Sequence, residues 1–372
     1  MRHLSTPAMA GALALAGFAA GSAPPAQAQD SFTPQTFTYA AFITPDIGQA
    51  WAVQSFFAGV EERTGGAITF EPFWNASLCG ALDALECVVS GQADIVYGSA
   101  IFNPAELPRT TIASVPFQTT NGQASTNTMM DLYAEHPPMR AEWEQAGAHV
   151  LWFAHAGAPL LGMLAPVEAT EDVRGRAIRT VGYVVSPMAA LGANPVATAP
   201  AEIYQAMQRG VVQGAIYTSD GFTDARLYEV VDYLYDIAEY MGVYGMLYNA
   251  INLSTWNAMS PELQAIFSEE AARVAASFQS AYMEPFDAQA CEVLIDNLSE
   301  MARFGDEATS AAWATDMREA SAAEWMAAME RAGVDEAEML LADFRERVAA
   351  HEAIETGHRT GGEICIELWN AR

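Results

Sequence analysis

Lysine is absent from the sequence. All 17 basic side chains are arginines, and they stand against 46 aspartates and glutamates, so the formal net charge is −29 at pH 7. Such a surface repels phosphate backbones and anionic headgroups, which disfavours binding to nucleic acid or to a membrane surface. Solubility explains the surplus of acid, and an acidic face that docks a partner is the alternative.

Long apolar runs are also missing beyond the N-terminus, because no later segment reaches the ~18 uninterrupted apolar residues of a membrane-spanning helix. The first 28 residues have the features of a secretory signal peptide. Arg2 and His3 precede an apolar run at 9–20, and residues 26–28 (AQA) form a small-x-small cleavage signature. We therefore expect a soluble protein that is exported to the periplasm and cleaved near Ala28.

Cysteine is sparse, with Cys79, Cys87, Cys291 and Cys365 in the whole chain. Export permits disulfides, and four cysteines allow three pairings. We favour Cys79–Cys87 and Cys291–Cys365, with four buried thiols as the alternative. Eight helical steps would separate the first two Cα atoms by ~12 Å, beyond the ~7 Å limit of a bridge. That pairing therefore requires Cys79 to lie in a loop folded back over a helix, a bend that Gly80 permits.

Motifs for common catalytic and cofactor sites are missing. The sequence has no G-x-S-x-G, no G-x-G-x-x-G after a strand and no G-x-x-x-x-G-K-[ST]. No pair of cysteines or histidines has metal-ligand spacing, so neither a metal nor another cofactor is expected. His155 ends an apolar strand and could face a cleft, although a lone histidine there is more often structural. A periplasmic enzyme that uses His155 with a cleft acid is the less favoured alternative.

Strands and helices alternate in two stretches of the chain. In the first, strands are predicted at 36–42, 67–74 and 93–99, with helices at 50–63 and 81–90 between them. The second, 172–217, also has the order strand–helix–strand–helix–strand. This alternation predicts two α/β units, in which ligands bind beyond the carboxyl ends of the strands.

The remaining chain adds strands and then helices. Further strands are predicted at 148–155, 160–166, 232–237 and 244–252. Ser260 followed by Pro261 is a strong helix start, and one amphipathic helix is predicted from there to about Glu284. Residues 291–354 are rich in Ala, Glu and Met and are predicted to be helical, with breaks near Gly305 and Gly333.

Aromatic residues concentrate at the predicted strand ends, and Arg179 also ends a strand. Small-molecule clefts are mostly apolar, with a few placed polar groups. Each aromatic taken alone is more often a core residue, but the group favours a lined pocket. The predicted substrate-binding residues are Arg179, Trp74, Tyr97, Ser99, Phe117, His155, Tyr183, Tyr217 and Asp220.

Short motifs follow one another in a defined order across residues 33–290. They are EERTGG (61–66), NASL (75–78), SGQADI (90–95), VPF (115–117), EDVRGRAIR (171–179), LGANPV (191–196), EIYQAMQRGVV (202–212) and WNAMSPELQ (256–264). By their order and spacing, the chain resembles the extracytoplasmic solute receptors of tripartite ATP-independent periplasmic (TRAP) transporters, the DctP-type family. The C-terminal 80 residues match only as generic helix.

The resemblance implies an α/β, two-domain, periplasmic-binding-protein-like fold. A central sheet flanked by helices is expected in each domain, with hinge strands and a long helix spanning both. The expected boundaries are 30–155 plus 244–270 for domain I, 156–243 plus 285–350 for domain II, 260–284 for the spanning helix and 351–372 for a C-terminal tail.

The resemblance also implies a binding protein rather than an enzyme, expected to be a monomer. A small organic anion would be trapped in the cleft and passed to the small and large membrane subunits of the transporter. In the family, the arginine that closes the K/R-G-x-x-I-R motif pairs with a substrate carboxylate, and Arg179 matches that position. A planar guanidinium offers bidentate hydrogen bonds to a carboxylate.

The sequence departs from the family pattern around this arginine. Residues 155–159 (HAGAP) lack the second arginine of many relatives, and residues 213–216 (QGAI) replace Asp-Gly-x-Glu. Tyr217 stands where some relatives place a polar contact, and Ser99 replaces an acid or amide. We therefore expect a pocket that is less polar and more aromatic than a sugar-acid or dicarboxylate site.

Such a pocket favours a solute with one carboxylate. An aromatic acid fits this expectation. A betaine-like or sulfonium zwitterion fits it equally, because its cationic head could make cation–π contacts with the aromatic rings. A receptor of the same fold that feeds a sensor kinase remains the alternative within this class of protein.

Overall fold

The structure is a computed structural model, and it describes residues 32–243, 245–305 and 307–372. The predicted signal peptide, residues 1–28, lies outside the described part. Among the described helices, none combines the length and the apolar character that a membrane span requires.

The secondary structure alternates as the sequence predicts through most of the chain. The strands are β1 (Gln35–Ala40), β2 (Ile68–Phe73), β3 (Ile95–Ser99), β4 (Ala148–His155), β5 (Leu160–Met163), β6 (Ala177–Arg179), β7 (Asn194–Val196), β8 (Gly214–Tyr217), β9 (Tyr233–Asp236), β10 (Met246–Asn252) and β11 (Glu300–Arg303). The α-helices are α1 (Gly48–Arg63), α2 (Ala84–Val89), α3 (Gly122–Glu135), α4 (Pro137–Ala146), α5 (Val185–Ala190), α6 (Ile203–Gln208), α7 (Ser219–Asp224), α8 (Ala238–Met241), α9 (Leu253–Ala258), α10 (Pro261–Ala276), α11 (Glu284–Asn297), α12 (Glu307–Ala332), α13 (Ala337–Glu352) and α14 (Gly361–Asn370).

The first sheet has five strands in the order β2-β1-β3-β10-β4. β1 pairs in parallel with β2 and β3, whereas β10 is antiparallel to β3 and β4. Neighbouring strand residues point to opposite faces. Trp152 therefore packs with Phe56 and Phe267 on one face, while Phe153 packs with Trp143 on the other.

The second sheet has six strands in the order β11-β9-β5-β8-β6-β7. β5 is antiparallel to β8 and β9, and β6 is parallel to β7 and β8. β11 corrects the sequence analysis, which assigned this region to helix. Its four residues (EMAR) carry no alternating apolar pattern, and they form a strand because they hydrogen-bond in parallel to the exposed edge of β9.

Two strand connections and one helical segment join the sheets. β4 of the first sheet leads through residues 156–159 into β5 of the second, and β9 of the second sheet leads back to β10 of the first. α10 packs against α1 and β4, whereas α11 packs against α7 and α14. The predicted two-domain α/β fold, with hinge strands and a spanning helix, is confirmed.

The spanning helix is longer than the predicted segment 260–284, and it is interrupted. The Ser260 hydroxyl accepts a hydrogen bond from the Leu263 amide at 3.2 Å, which is the predicted N-cap. Regular α-helix ends at Ala276, a π-helical turn occupies Gln279–Met283, and α11 follows. Because Pro285 at the start of α11 has no backbone N–H, the α-helical hydrogen-bond ladder cannot run through this point unbroken.

The packing of the C-terminal helices corrects the expected grouping of residues 285–350. α13 contacts α3, and its Leu340 and Phe344 belong to the apolar core of the first sheet. By contrast, α11 and α14 pack against each other, and their Leu294 and Ile364 belong to a core of the second sheet. The C-terminal third of the chain is therefore shared between the two sheets.

Both predicted disulfides are confirmed. Cys79 and Cys87 are bonded with their Cα atoms 6.3 Å apart. Cys79 lies in the loop before α2, which begins only at Ala84 and is shorter than the predicted helix 81–90. Cys291 of α11 is bonded to Cys365 of α14, with 4.9 Å between the Cα atoms, and ties the C-terminal helix to the spanning helix.

Removing the second disulfide should cost more stability than removing the first. The Cys291–Cys365 bond closes a loop with a sequence separation of 74, against 8 for Cys79–Cys87. The loop-entropy relation gives losses of about 4.5 and about 2.5 kcal/mol in the free energy of unfolding. Paired alanine substitutions at each disulfide, compared by urea denaturation, measure the difference. A larger loss at the shorter loop would contradict this account.

Candidate ligand-binding cavity

A cavity lies between the two sheets, at the carboxyl ends of β3, β6 and β8. It has about 70 Å³ of space for the centres of water-sized molecules. One water needs about 10–15 Å³ by this measure, so the cavity can hold several waters or one small solute. The lining residues are Phe42, Ile43, Gln49, Tyr97, Ser99, Ile101, Phe102, Ala156, Arg179, Val181, Pro200, Tyr217, Thr218, Asp220, Gly221, Asp224, Gly245 and Leu247.

An open groove continues from the cavity toward solvent. It shares Phe42, Pro200, Tyr217 and Asp224 with the cavity lining and has about 460 Å³ by the same measure. Residues of the loop 75–83, which contains Cys79, form part of the groove wall. The groove provides a path by which a solute reaches the buried side chains.

Arg179 is the cation of the cavity. It ends the short strand β6 and is only 1% exposed. Its Nε donates to the Thr198 carbonyl at 3.2 Å, and its Nη1 donates to the Ile216 carbonyl at 3.1 Å. The guanidinium lies 4.9 Å from the centre of the Tyr217 ring, in cation–π contact. Among the described residues, no carboxylate forms an ion pair with Arg179.

Two carboxylates line the same cavity. Burial raises the pKa of Asp220 to about 6, while Thr218 and Gln49 act in the opposite direction. Burial also raises the pKa of Asp224, whose Oδ1 accepts a hydrogen bond from the Thr44 amide at 3.2 Å.

Gln49 stands next to Asp220 in the lining. Both atoms of its amide group lack a hydrogen bond of ordinary geometry, and so does Oδ1 of Asp220. Gln49 is 2% exposed and Asp220 is 6% exposed, so bulk water does not satisfy them. A buried polar group without a partner costs about 1–3 kcal/mol, which a bound solute or internal water can offset.

Aromatic rings form much of the remaining lining. The rings of Phe42 and Tyr97 lie 5.1 Å apart at a tilt of 56°. Burial raises the pKa of Tyr97 well above its ordinary value, so its phenol stays protonated. The Ser99 hydroxyl donates to the Met246 carbonyl at 3.2 Å. The cavity therefore combines flat apolar surfaces with one guanidinium and two carboxyls.

The structure brings together Arg179, Tyr97, Ser99, Tyr217 and Asp220 of the residues predicted from sequence. Three of the predicted aromatic residues lie elsewhere. Trp74 packs on Tyr39, with 5.5 Å between ring centres, because its side chain turns into the core of the first sheet. The Tyr183 hydroxyl lies 3.4 Å from the Thr111 hydroxyl, against the core on the other face.

Phe117 is also absent from the cavity lining. Its backbone is left-handed, with φ of 67°, and its amide donates to the Met241 carbonyl at 2.6 Å. Although Phe117 lies in sequence between elements of the first sheet, its ring packs in a core of the second sheet. It therefore joins the two units.

His155 lies in a second, smaller cavity where the connections cross. Its Nδ1 accepts a hydrogen bond from the Gly157 amide at 3.0 Å, and its ring meets Phe278 edge-on. Burial lowers its pKa to about 3, so the ring is neutral at physiological pH. It does not line the main cavity, and its surroundings include Gln279 of the π-helical turn and Asp287 of α11.

Asp287 connects this crossing region with the main cavity. Its Oδ1 accepts a short hydrogen bond from the hydroxyl of Ser219, the residue before Asp220. Burial raises the pKa of Asp287 to about 8, which keeps the carboxyl mostly protonated at neutral pH. The spanning helix is thus hydrogen-bonded to the helix that carries the cavity acids.

The predicted set of substrate-binding residues left out several residues that line the cavity, among them Phe42, Gln49, Phe102 and Asp224. Phe42 follows a strand and could have been found by the same strand-end rule as Tyr97. Gln49 begins α1 and carries no local signal, because a polar residue in a first helical turn is ordinary. Within the described residues, no cluster of three or more His, Cys, Asp or Glu side chains could hold a metal ion.

Comparisons with known proteins bear on this cavity. The family model described as bacterial extracellular solute-binding protein, family 7 (DctP), matches residues 43–330. A solute-binding protein of Chromohalobacter salexigens is 28% identical over 256 residues, which are 64% of this chain and 70% of that protein.

Solved structures show the same fold. A marine-metagenome TRAP solute-binding protein specific for aromatic acid ligands, in complex with 3-hydroxybenzoate, matches with a TM-score of 0.77 at 17% identity, over 86% of this chain and 100% of the other. A TRAP periplasmic solute-binding protein of Sulfitobacter sp. NAS-14.1, with bound β-D-galacturonate, matches with a TM-score of 0.70 at 21% identity, over 83% and 99%.

Asp287 gives stability a testable pH dependence. Its pKa is about 8 in the folded protein and near 3.8 without the fold, so the folded state binds more protons between these values. Its contribution to stability is therefore full below pH ~4 and is lost as pH rises to ~8. Asp287→Asn keeps an acceptor for Ser219 but cannot ionise. At pH 8.5, we expect the free energy of unfolding of the variant to exceed that of the wild type by at least ~1 kcal/mol.

Urea denaturation at pH 5, 7 and 8.5 measures this difference. His155, whose pKa is lowered to about 3, changes stability in the opposite direction at lower pH, but it is present in both proteins and cancels in the comparison. Asp232→Asn, at an exposed site, is the charge-matched control. Equal pH slopes in the wild type and Asp287→Asn would contradict the role assigned to burial.

Proposed function

Because the chain belongs to bacterial extracellular solute-binding protein family 7, DctP, we propose that it is the periplasmic solute receptor of a TRAP transporter. It captures a small organic acid in the cavity between the sheets through Arg179, and it delivers this solute to the small and large membrane subunits. The observation that carries the proposal is a buried arginine with no acidic partner among the described residues.

The energetic cost of burying a charged guanidinium supports a ligand-binding role for Arg179. Removing a cation from water costs several kcal/mol, and backbone carbonyls offset only part of that cost because they carry no net charge. An anionic solute supplies the missing charge. A carboxylate can accept two parallel hydrogen bonds from a guanidinium, and these charge-assisted bonds are about twice as strong as neutral ones.

The aromatic lining supports a solute with one carboxylate. Phe42, Tyr97, Phe102 and Tyr217 present flat apolar surfaces, whereas a polyhydroxylated sugar acid needs a hydrogen-bond partner for each hydroxyl. The two solved structures of this fold named above hold 3-hydroxybenzoate and galacturonate, which are both carboxylates. Arg179 serves as the anchor of the carboxylate, and the rings select the remaining part of the solute.

Binding is expected to close the two units around the solute by a hinge motion. In this proposal, domain I contains residues 30–155 and 244–270, and domain II contains residues 156–243. The chain crosses between them near residues 156 and 244. α13 moves with domain I, and α11 and α14 move with domain II, because of the cores in which they pack. The Phe117 contact lies at this junction, whereas the Ser219–Asp287 hydrogen bond joins α7 to α11 within domain II.

An enzymatic role through His155 has little support. The ring is buried, neutral and outside the cavity that contains the guanidinium and the carboxyls. A general acid or base must reach the proton that it transfers. The family to which the chain belongs consists of solute-binding proteins.

Replacing Arg179 should abolish tight binding. Arg179→Ala is expected to lose at least ~2 kcal/mol of ligand binding, about 30-fold in Kd, because the carboxylate is left buried without a partner. Arg179→Lys keeps the charge but removes the planar fork, and an intermediate loss is expected. Titration calorimetry with a solute found by a thermal-shift screen of carboxylates measures both.

Arg176→Ala is the matched control, because Arg176 precedes the same strand but is directed to the Ala165 and Pro166 carbonyls at 3.1 Å. It should bind as the wild type does. Circular dichroism of each variant separates loss of binding from loss of fold. Unchanged affinity in a folded Arg179→Ala protein would refute the proposed anchor.

The thermal-shift screen of carboxylates also tests the aromatic lining. We expect stabilisation by solutes with one carboxylate, whether aromatic acids or small zwitterions, without turnover. A concentration of 100 times Kd adds ~2.7 kcal/mol of stability. If only polyhydroxy acids or short dicarboxylates stabilise the protein, the aromatic interpretation of the cavity is wrong.

A further inference from the structure

The cavity holds two opposite charges that do not meet. Arg179 and Asp220 are both buried and both line it, yet among the described residues Arg179 contacts two backbone carbonyls and the Tyr217 ring but no carboxylate, and Oδ1 of Asp220 lacks a hydrogen bond of ordinary geometry. Opposite charges attract strongly in a low-dielectric site. Because the fold keeps Arg179 and Asp220 apart, a bound molecule that contacts both side chains would be favourable. A molecule that carries both charges satisfies both residues.

Gln49 specifies the kind of cation that fits. Its amide oxygen is buried, lines the cavity beside Asp220 and has no donor of its own. The Gln49 amide nitrogen, which also lacks a partner of ordinary geometry, can donate to Asp220, and the remaining acceptor sites, one neutral and one anionic, are satisfied by a cation that carries N–H groups. A quaternary ammonium or a sulfonium has no such hydrogen to donate, and it would leave both oxygens unsatisfied.

The second acid does not replace Asp220 in this role. The Asp224 carboxyl already accepts a hydrogen bond from the Thr44 amide. A simple monocarboxylate would neutralise Arg179, but it would also add a negative charge to a cavity that already has two carboxyls. A zwitterion adds no net charge, and its cationic end meets the acids.

We infer that the solute is a small amino-acid-like zwitterion, whose carboxylate binds Arg179 and whose protonated amine donates to Asp220 and Gln49. This assignment rests on the proposed function, since it names the substrate class of the same cavity. Asp220 and Gln49 are then the residues that determine specificity, and the aromatic rings enclose the carbon atoms between the two charges.

Isosteric probe pairs test the assignment directly. Proline is compared with cyclopentanecarboxylate, 4-aminobutanoate with pentanoate, and 3-(aminomethyl)benzoate with 3-ethylbenzoate, by thermal shift and calorimetry at pH 7.5. We expect at least one zwitterion to bind ten times tighter or more than its carbon isostere. The quaternary form of that zwitterion, N,N-dimethylated for proline and N-trimethylated for the two primary amines, should bind more weakly than the amine.

Variants identify the residue responsible. Asp220→Asn keeps the shape of the side chain but removes its charge. It should weaken the binding of the zwitterion at least tenfold, while the carbon isostere binds with unchanged or higher affinity. Gln49→Leu should weaken the zwitterion to a smaller degree. Asp232→Asn is the control, because this exposed acid lies outside the cavity.

The pH profile gives an independent readout. Asp220 faces Asp224 of its own helix, Tyr97 from β3 and Asp287 from α11, and its pKa of about 6 places its protonation between pH 7.5 and 5. If only the ionised form binds the amine, the affinity for the zwitterion falls about tenfold over this range. A carboxylate without an amine should not weaken, and Asp220→Asn should flatten the profile.

The outcomes separate the two proposals. If carbon isosteres bind as well as their zwitterions, or if the solute found by the carboxylate screen has no positive charge, the zwitterion assignment is overturned while an Arg179-dependent receptor stands. Tighter binding of the quaternary form overturns the hydrogen-bonding role of Gln49 and Asp220. Ligand binding that is indifferent to Arg179→Ala overturns the proposed function itself.

Discussion

The guanidinium of Arg179 is held inside the protein by backbone carbonyls and by the face of a tyrosine ring, without a carboxylate among the described residues. Carbonyl dipoles orient the cation but do not neutralise it, so the charge stays available in a place that bulk water does not reach. The short strand β6 brings the side chain to the edge of its sheet, and the neighbouring strand β8 supplies both the Ile216 carbonyl and the Tyr217 ring. The local geometry of two strands thus holds a buried guanidinium in the cavity lining, and we propose that it binds the carboxylate of a solute.

The joint between the two units is the second constraint. The β4–β5 and β9–β10 connections and the spanning helix pass between the sheets, and at this crossing the buried His155 ring accepts a hydrogen bond from the Gly157 amide. Phe117 reaches from one unit into the core of the other, and Ser219 binds Asp287 of the spanning helix. Because Ser219 directly precedes Asp220, this hydrogen bond fixes the helix that carries a cavity acid against α11.

Much of the fold was predictable because its strands are short apolar runs ended by turn residues, and its main helices have clear starts. The exceptions share one physical cause: contacts with neighbouring strands and helices decided the structure of these segments, and the local sequence pattern did not. β11 is a strand because the edge of β9 is free to pair, and the π-helical turn before α11 arises where a proline interrupts a helix that must pack on both units. α13 joins the first sheet through contacts with α3 that its generic helical sequence does not encode.

The same division holds for the candidate site. Arg179, Tyr97 and Tyr217 were found because a side chain at a strand end lies at the edge of a sheet where ligands bind. Trp74 and Tyr183 satisfied the same rule but turn into the cores, because the direction of a side chain depends on the space that neighbouring elements leave.

The sequence by itself determined most of the order of strands and helices, the excess of acid and the position of Arg179 at a strand end, and it favoured the cysteine pairs that form. Only the tertiary structure decided that residues 49, 179 and 220, distant in the chain, share one cavity, where polar atoms of Gln49 and Asp220 lack partners of ordinary geometry. That outcome depends on how two sheets and a spanning helix pack together. No local pattern encodes a distance between residues on different elements.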